Sequence, residues 1–154
     1  LSKERSNNIR LMGLIHDIGK IGVPVEILNK PGRLSDEEMN LVKAHAKIGY
    51  NILKQVNFEI PVAEVAYQHH ERVDGSGYPL SLIGSNILLE SKIIAVADVI
   101  EAMTNRRPYR GPLGIEQALD EIEKGRGTKY ETEVVDACLR LFREDGYTIE
   151  AEIH

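Results

Sequence analysis

Leu14-Ile15-His16-Asp17-Ile18-Gly19-Lys20 ends an apolar helical run with an imidazole, a carboxylate and, three residues after the carboxylate, an ammonium. Upstream of it, Ile9, Met12, Ile15 and Ile18 recur at helical spacing, and Leu11 and Leu14 widen the stripe, so an amphipathic helix leads into the pair. Gly19, Gly22 and Pro24 then stop that helix soon after Asp17. Neutral His and ionised Asp are ligands for borderline divalent metals such as Zn, Fe or Mn, and Lys20 can neutralise an anion beside the ion. A metal-bound phosphate is the simplest ligand for that set. Helical neighbours point about 100° apart, so His16 and Asp17 do not easily chelate one ion alone, but the two oxygens of Asp17 could bridge two. Alone, a His-Asp pair is more often a surface or satisfied pair than a metal site.

The positions of the other histidines change that balance. The chain has five: His16, His45, His69, His70 and the terminal His154. His69-His70-Glu71 precedes Asp74 and a glycine-rich turn, and Asp98 lies inside Ile93-Ile94-Ala95-Val96-Ala97-Asp98-Val99-Ile100. That run is apolar nearly all round, which predicts a buried helix, and an ionised carboxylate there is costly unless it is paired or coordinates a metal. Asp98 therefore needs a cation.

Elsewhere the pattern is helical. Val25 to Asn29 suits a short turn and Lys30-Pro31-Gly32-Arg33 a loop. Ser35-Asp36-Glu37-Glu38 is a capping-box signature ahead of one helix carrying Met39, Val42, His45, Ala46, Gly49 and Leu53. Pro61 can open a helix through Val62, Val65 and Ala66 that delivers His69 and His70. Val73 to Glu90, rich in Gly and Ser, is a long loop of the kind that is more often functional than idle. Helices are expected at about Ser91 to Thr104, Ile115 to Lys124 and Tyr130 to Arg143, with a frayed tail after Gly146. With almost no strand alternation, the expected architecture is an all-α bundle over residues 1–145, its site where several helices end, followed by a tail at 146–154.

Composition sets the outer bounds. A chain of 154 residues, 42% hydrophobic and 28% charged, is one globular domain. The single Cys138 permits no internal disulfide and reads as a small buried apolar residue, pointing to a reducing, cytoplasmic setting. No apolar run approaches the roughly 18 residues of a membrane span, and no charged-then-apolar leader is present. Nineteen basic against 24 acidic residues argue against a broad surface for nucleic-acid polymers. The first residue is Leu, and Ser2 to Ser6 looks like a linker entering a helix, so the chain is expected to be a fragment of a longer protein.

Taken in order and spacing, His16-Asp17-Ile18-Gly19-Lys20, His45 with Gly49, His69-His70-Glu71-Arg72-Val73-Asp74-Gly75-Ser76-Gly77-Tyr78-Pro79, Val96-Ala97-Asp98 and Arg107-Pro108-Tyr109-Arg110 resemble the HD-GYP family. The resemblance runs from about Ile9 to Leu141 and includes the Asn29-Lys30-Pro31-Gly32 loop. It implies an all-helical, metal-dependent bacterial phosphodiesterase that opens cyclic di-GMP to pGpG or GMP. It further implies metal ligands at His16, Asp17, His45, His69, His70 and Asp98, with Asp17 bridging, and two or three divalent ions, Fe or Mn first and Zn after them. Lys20, Arg107 and Arg110 match phosphate-holding positions, Tyr78 matches the tyrosine of the name motif, and His16, Asp17 and Lys20 form the catalytic set. Two-metal chemistry then needs no side-chain nucleophile. In the family a helix upstream of the His-Asp pair adds one more histidine, and this chain begins after it. A cyclase-domain partner at the Gly75 to Ser85 loop and a homodimer are compatible with the resemblance. The alternative is an incomplete site that binds the dinucleotide, or a protein partner, without turnover.

Overall fold

Ser2 opens the first helix, α1 (Lys3–Ile15), its hydroxyl accepting from Arg5 N–H at 3.1 Å. The computed structural model describes residues 1–105 and 114–149. After α1 come a 3-10 turn (Ile18–Gly22), α2 (Val25–Leu28), α3 (Asp36–Lys43), α4 (His45–Leu53), α5 (Val62–Gln68), α6 (Leu89–Thr104), α7 (Ile115–Lys124) and α8 (Thr132–Arg143). Among the described residues there is no strand, only isolated bridges between Asp74 and Ile83 and between Arg126 and Tyr130, so the fold is all-α as expected. The capping box at Ser35 is present in both directions, with Glu38 N–H on the Ser35 hydroxyl and Ser35 N–H on the Glu38 carboxylate. Arg107, Arg110 and His154 lie outside the described residues.

Several expectations change in detail. The single helix expected from Ser35 to Leu53 breaks at Ala44, where His45 Nδ1 meets the Val42 carbonyl at 2.6 Å. An unbroken helix would offer that carbonyl to a backbone N–H four residues on, so the side chain competes with the ladder. Leu11 and Leu14 do not join the buried stripe of α1: they are 43% and 74% exposed, and Met12 is the fully buried residue of that helix. The helix around Asp98 is not enclosed on all sides either. Ile94, Ala95, Val96 and Ile100 are buried, but Ala97 is exposed and Asp98 half-buried. Helix α6 starts two residues before its expected first residue and α8 two after, because Glu131 rather than Tyr130 precedes the first turn of α8.

Two apolar clusters hold the bundle together. Met12, Leu53, Val62, Val65, Ala66 and Ile94 join α1, α4, α5 and α6. Val96, Ile100, Ala118, Leu119, Ile122 and Val135 join α6, α7 and α8. Helix α6 belongs to both, so it fixes one half against the other. The Arg5 guanidinium clamps its start to α1 through Glu90 Oε1, at 2.8 Å from Nε and 2.6 Å from Nη2. Asp98 sits between the Ile94 and Ile100 levels of this helix, facing the ends of α1, α4 and α5. Among the described residues no helix is long and apolar enough to cross a membrane.

Candidate metal centre

His16 is the C-cap of α1, Asp17 begins the 3-10 turn, His45 opens α4, and His69 is the C-cap of α5 with His70 following it. Helix C-termini carry partial negative charge, so α1 and α5 both end in a way that favours a cation between them. Asp17 has left the helix, at φ −93° and ψ 8°. This is why His16 and Asp17 converge, with Nε2 3.5 Å from Oδ2, rather than pointing about 100° apart as helical neighbours do.

The turn reaches the start of α4 only because of glycine. A Cβ on Gly19 would lie 1.9 Å from the His45 carbonyl oxygen and 2.5 Å from Gly49 N. The close approach brings Asp17 Oδ1 to 3.3 Å from His45 Nε2 and 3.7 Å from His69 Nε2. On the other side, His16 Nε2 lies 3.9 Å from Asp98 Oδ1. Donor atoms of Asp17, His45, His69 and His70 fall within 4.8 Å of one another, and so do those of His16, Asp17 and Asp98. Asp17 is common to both groups. All six expected metal-ligand positions are therefore brought together.

The hydrogen bonds test whether the cluster suits a metal. His16, His45 and His69 each direct Nδ1 at the carbonyl three residues back, Gly13 at 2.7 Å, Val42 at 2.6 Å and Ala66 at 2.8 Å. A carbonyl only accepts, so Nδ1 carries a proton and each ring, when neutral, presents a bare Nε2. His45 Nε2 and His69 Nε2 then stand 3.2 Å apart with no proton to share. Among the described residues, the buried side-chain polar atoms without a hydrogen-bond partner are His16 Nε2 and Asp17 Oδ1. Burial costs such atoms dearly unless a cation meets them, and divalent ions fit this donor set of imidazole nitrogens and carboxylate oxygens.

Electrostatics agrees. Burial, with His16 nearby, lowers the His69 pKa, and burial beside His69 lowers that of His70 further, so both rings stay neutral ligands. Burial opposes ionisation of Asp17, but His45 and His69, which pair with it when they carry a proton at Nε2, and the Lys20 ammonium hold it far below the usual carboxylate range. Asp98 is likewise lowered, His16 and His70 outweighing its burial. For His16, burial is outweighed by the Asp98 and Asp17 carboxylates, which raise its pKa. A metal ion would take the place of that proton.

Lys20 ion-pairs with Asp17 and lines a cleft of about 530 Å³ together with His45, His70, Asp98 and Tyr78. The Tyr78 ring stacks on His70, centroids 4.7 Å apart at 20°, and Lys43 Nζ lies over the Tyr78 ring, 5.2 Å from its centroid. Burial, with the Asp98 and Asp17 charges nearby, pushes its phenol above the ordinary value, so it stays a hydrogen-bond donor. Gly77 backs onto the histidine pair: a Cβ there would come within 2.5 Å of the His70 carbonyl oxygen.

Glu71 is a residue that sequence reasoning passed over. It is 2% exposed, and its carboxylate accepts from Leu80 N–H at 2.6 Å and Leu82 N–H at 2.9 Å, tying the loop beyond Tyr78 to the histidine pair. The available signal was a carboxylate directly after two expected ligands, ahead of a loop whose backbone N–H groups lacked partners. Asp74, by contrast, serves its turn, accepting from Ser76 N–H at 2.9 Å.

An all-helical domain whose helix ends converge on a histidine and aspartate cluster defines a recognisable class. The chain belongs to the HD-domain family, whose model, described as an HD domain, matches residues 1–134. It is 48% identical over 138 residues to a cyclic di-GMP phosphodiesterase of Thermotoga maritima, covering 88% of this chain and 38% of that protein. It is 44% identical over 142 residues to the cyclic di-GMP phosphodiesterase response regulator RpfG of Xanthomonas campestris, covering 91% and 38%. A 3'3'-cGAMP-specific phosphodiesterase 1 of Vibrio cholerae is 41% identical over 144 residues, 91% of this chain and 33% of that one. Among solved structures, a cyclic GMP-AMP-specific phosphodiesterase of Vibrio cholerae shares the fold at a TM-score of 0.66 and 19% identity, over 94% of this chain and 40% of that one. The chain thus spans well under half the length of these relatives, and the HD-GYP resemblance read from the motifs is borne out by their names.

Proposed function

We propose that this chain is a metal-dependent phosphodiesterase that hydrolyses cyclic di-GMP to pGpG, GMP or both. The observation that carries the reading is the sharing of Asp17 between two donor groups, His45, His69 and His70 on one side and His16 and Asp98 on the other. In this reading those six residues hold two or three divalent ions, Fe or Mn by preference and Zn as an alternative, with Asp17 as the bridge. When bound, such ions polarise a phosphodiester and activate a water at neutral pH. The chain's own residues do the rest. Lys20, held at the cleft by Asp17, offers its ammonium to a phosphate oxygen, and the protonated Tyr78 phenol offers a second donor from the ring that packs His70. Arg107 and Arg110 are assigned to the remaining phosphate contacts on the motif alone.

The reading places the protein in the cytoplasm and residues 1–145 in one catalytic domain with a short tail. It also leaves the Gly75 to Ser85 loop, where Leu80 and Ile83 are 46% and 58% exposed, to a cyclase-domain partner, and it admits a homodimer. A second substrate, 3'3'-cGAMP, enters because relatives at 41% and 40% identity carry that specificity in their names. The test is anaerobic incubation of cyclic di-GMP with the protein and Fe(II) or Mn(II), the products separated by chromatography. Release of pGpG or GMP, abolished in His16→Ala, is expected. Intact dinucleotide in the presence of demonstrably bound metal would replace the enzyme reading with that of a binding module.

A further inference from the structure

Helix α7 carries four carboxylates, and three of them share one partner. Arg143 lies 3.4 Å from Glu116, 3.1 Å from Asp120 and 2.9 Å from Glu123. Glu121 is served differently. It is half-buried, it lines the same cleft as Lys20, His70, Tyr78 and Asp98, and among the described residues no ion pair or side-chain hydrogen bond involves its carboxylate. Its charge is felt by the Tyr130 phenol, whose pKa is raised by burial and by Glu121. Val99, Ala102 and Met103 of α6 and Val42 give the same cleft an apolar lining, beside Tyr130. A free carboxylate facing a cleft that receives an anionic ligand would be repulsive unless that ligand brings hydrogen-bond donors to it.

We infer that Glu121 reads the Watson–Crick edge of a guanine, accepting from its N1–H and N2–H groups while the base lies along the Val99 to Met103 wall. The inference rests on the cyclic-dinucleotide reading and deepens it by naming a residue that selects the base. Guanine presents two adjacent donors on that edge, which two carboxylate oxygens can accept side by side. Adenine presents an acceptor at N1 and a donor at N6, so the same carboxylate would face a lone pair. A glutamine amide, with one donor and one acceptor, fits adenine instead. A good bidentate contact discriminates between bases by roughly ten- to hundredfold.

Calorimetry on the Mn(II)-loaded full chain, with hydrolysis-resistant bis-phosphorothioate forms so that turnover cannot consume the ligand, gives the affinities for cyclic di-GMP and cyclic di-AMP. Glu121→Gln and Glu121→Ala are measured alongside, and turnover of the two unmodified dinucleotides is followed separately on the same loaded proteins. The wild type should prefer the guanine ligand by roughly ten- to hundredfold. Glu121→Ala should erase most of that preference, and Glu121→Gln should carry it to or beyond parity by weakening guanine and strengthening adenine. A wild type that does not distinguish the bases, whether it binds both or neither, overturns the inference, as does either variant with the wild-type ratio. Turnover by a wild type without base preference would leave the phosphodiesterase reading standing. Base preference that follows Glu121 without turnover would do the reverse.

Discussion

Around Leu119, where α6, α7 and α8 meet, the buried side chains are nearly all hydrocarbon and find their partners inside the chain. Around Asp17 the buried side chains are imidazoles and carboxylates, and two of their polar atoms have no hydrogen-bond partner among the described residues. The first region is complete once the chain has folded; the second is complete only with a cation. Both halves have an apolar cluster, but the capacity for chemistry is concentrated around Asp17, with α6 contributing Val96 and Ile100 to the region of Leu119, Ile94 to the cluster beside the site and Asp98 to the site itself. Buried polar groups without partners cost about 1–3 kcal/mol each, so the two apolar clusters must offset what the site forgoes.

The sharpest separation comes from Leu119→Ala. Leu119 is fully buried, so its truncation should lower stability by about 2–5 kcal/mol in denaturant melts, without changing the number of ions bound by the folded protein. A change in ion number would mean that the two halves are not separable. Next in size is the metal itself. Addition of Mn(II) at about a hundredfold over its Kd should stabilise the wild type by about 2.7 kcal/mol, and Leu119→Ala by the same increment. Asp17→Ala should gain little, and an equal gain would show that the ion binds elsewhere.

Gly19→Ala probes the contact that presses Asp17 against His45. The added methyl would overlap the His45 carbonyl, so the turn must withdraw, at about 1–3 kcal/mol and with weakened metal binding. Tight binding at wild-type stability would show the approach to be unnecessary. The smallest effect is expected from Glu71→Gln, which keeps one acceptor for the Leu80 and Leu82 N–H groups and should cost about 1 kcal/mol. Hydrogen exchange should quicken at Leu80 and Leu82, with turnover falling while metal content stays. Unchanged exchange at those amides would remove Glu71 from the positioning of Tyr78.

Much of this was legible in the sequence, for reasons that differ by residue. The ends of α7 at Ile115 and Lys124 and the capping box at Ser35 follow from local rules, and the structure has them as expected. Asp98 in an apolar run and histidines beside carboxylates pointed to a cation site, but the set of six was legible only through the HD-GYP resemblance, which carries it over by motif. The break at Ala44 was not legible, since no Gly or Pro marks it; it follows from a tertiary demand on His45. Nor were the exposure of Leu11 and Leu14 or the roles of Glu71 and Glu121. Each depends on what packs opposite, which spacing along one helix does not encode.

The most direct measurement is metal content after the protein is stripped, reloaded with Mn(II) and dialysed, for the wild type beside Asp17→Ala. At least two ions per chain in the wild type, with a clear loss on removing the shared carboxylate, is the expected result. A wild type that retains no ion, or an Asp17→Ala protein that retains the full complement, would contradict a centre built around Asp17.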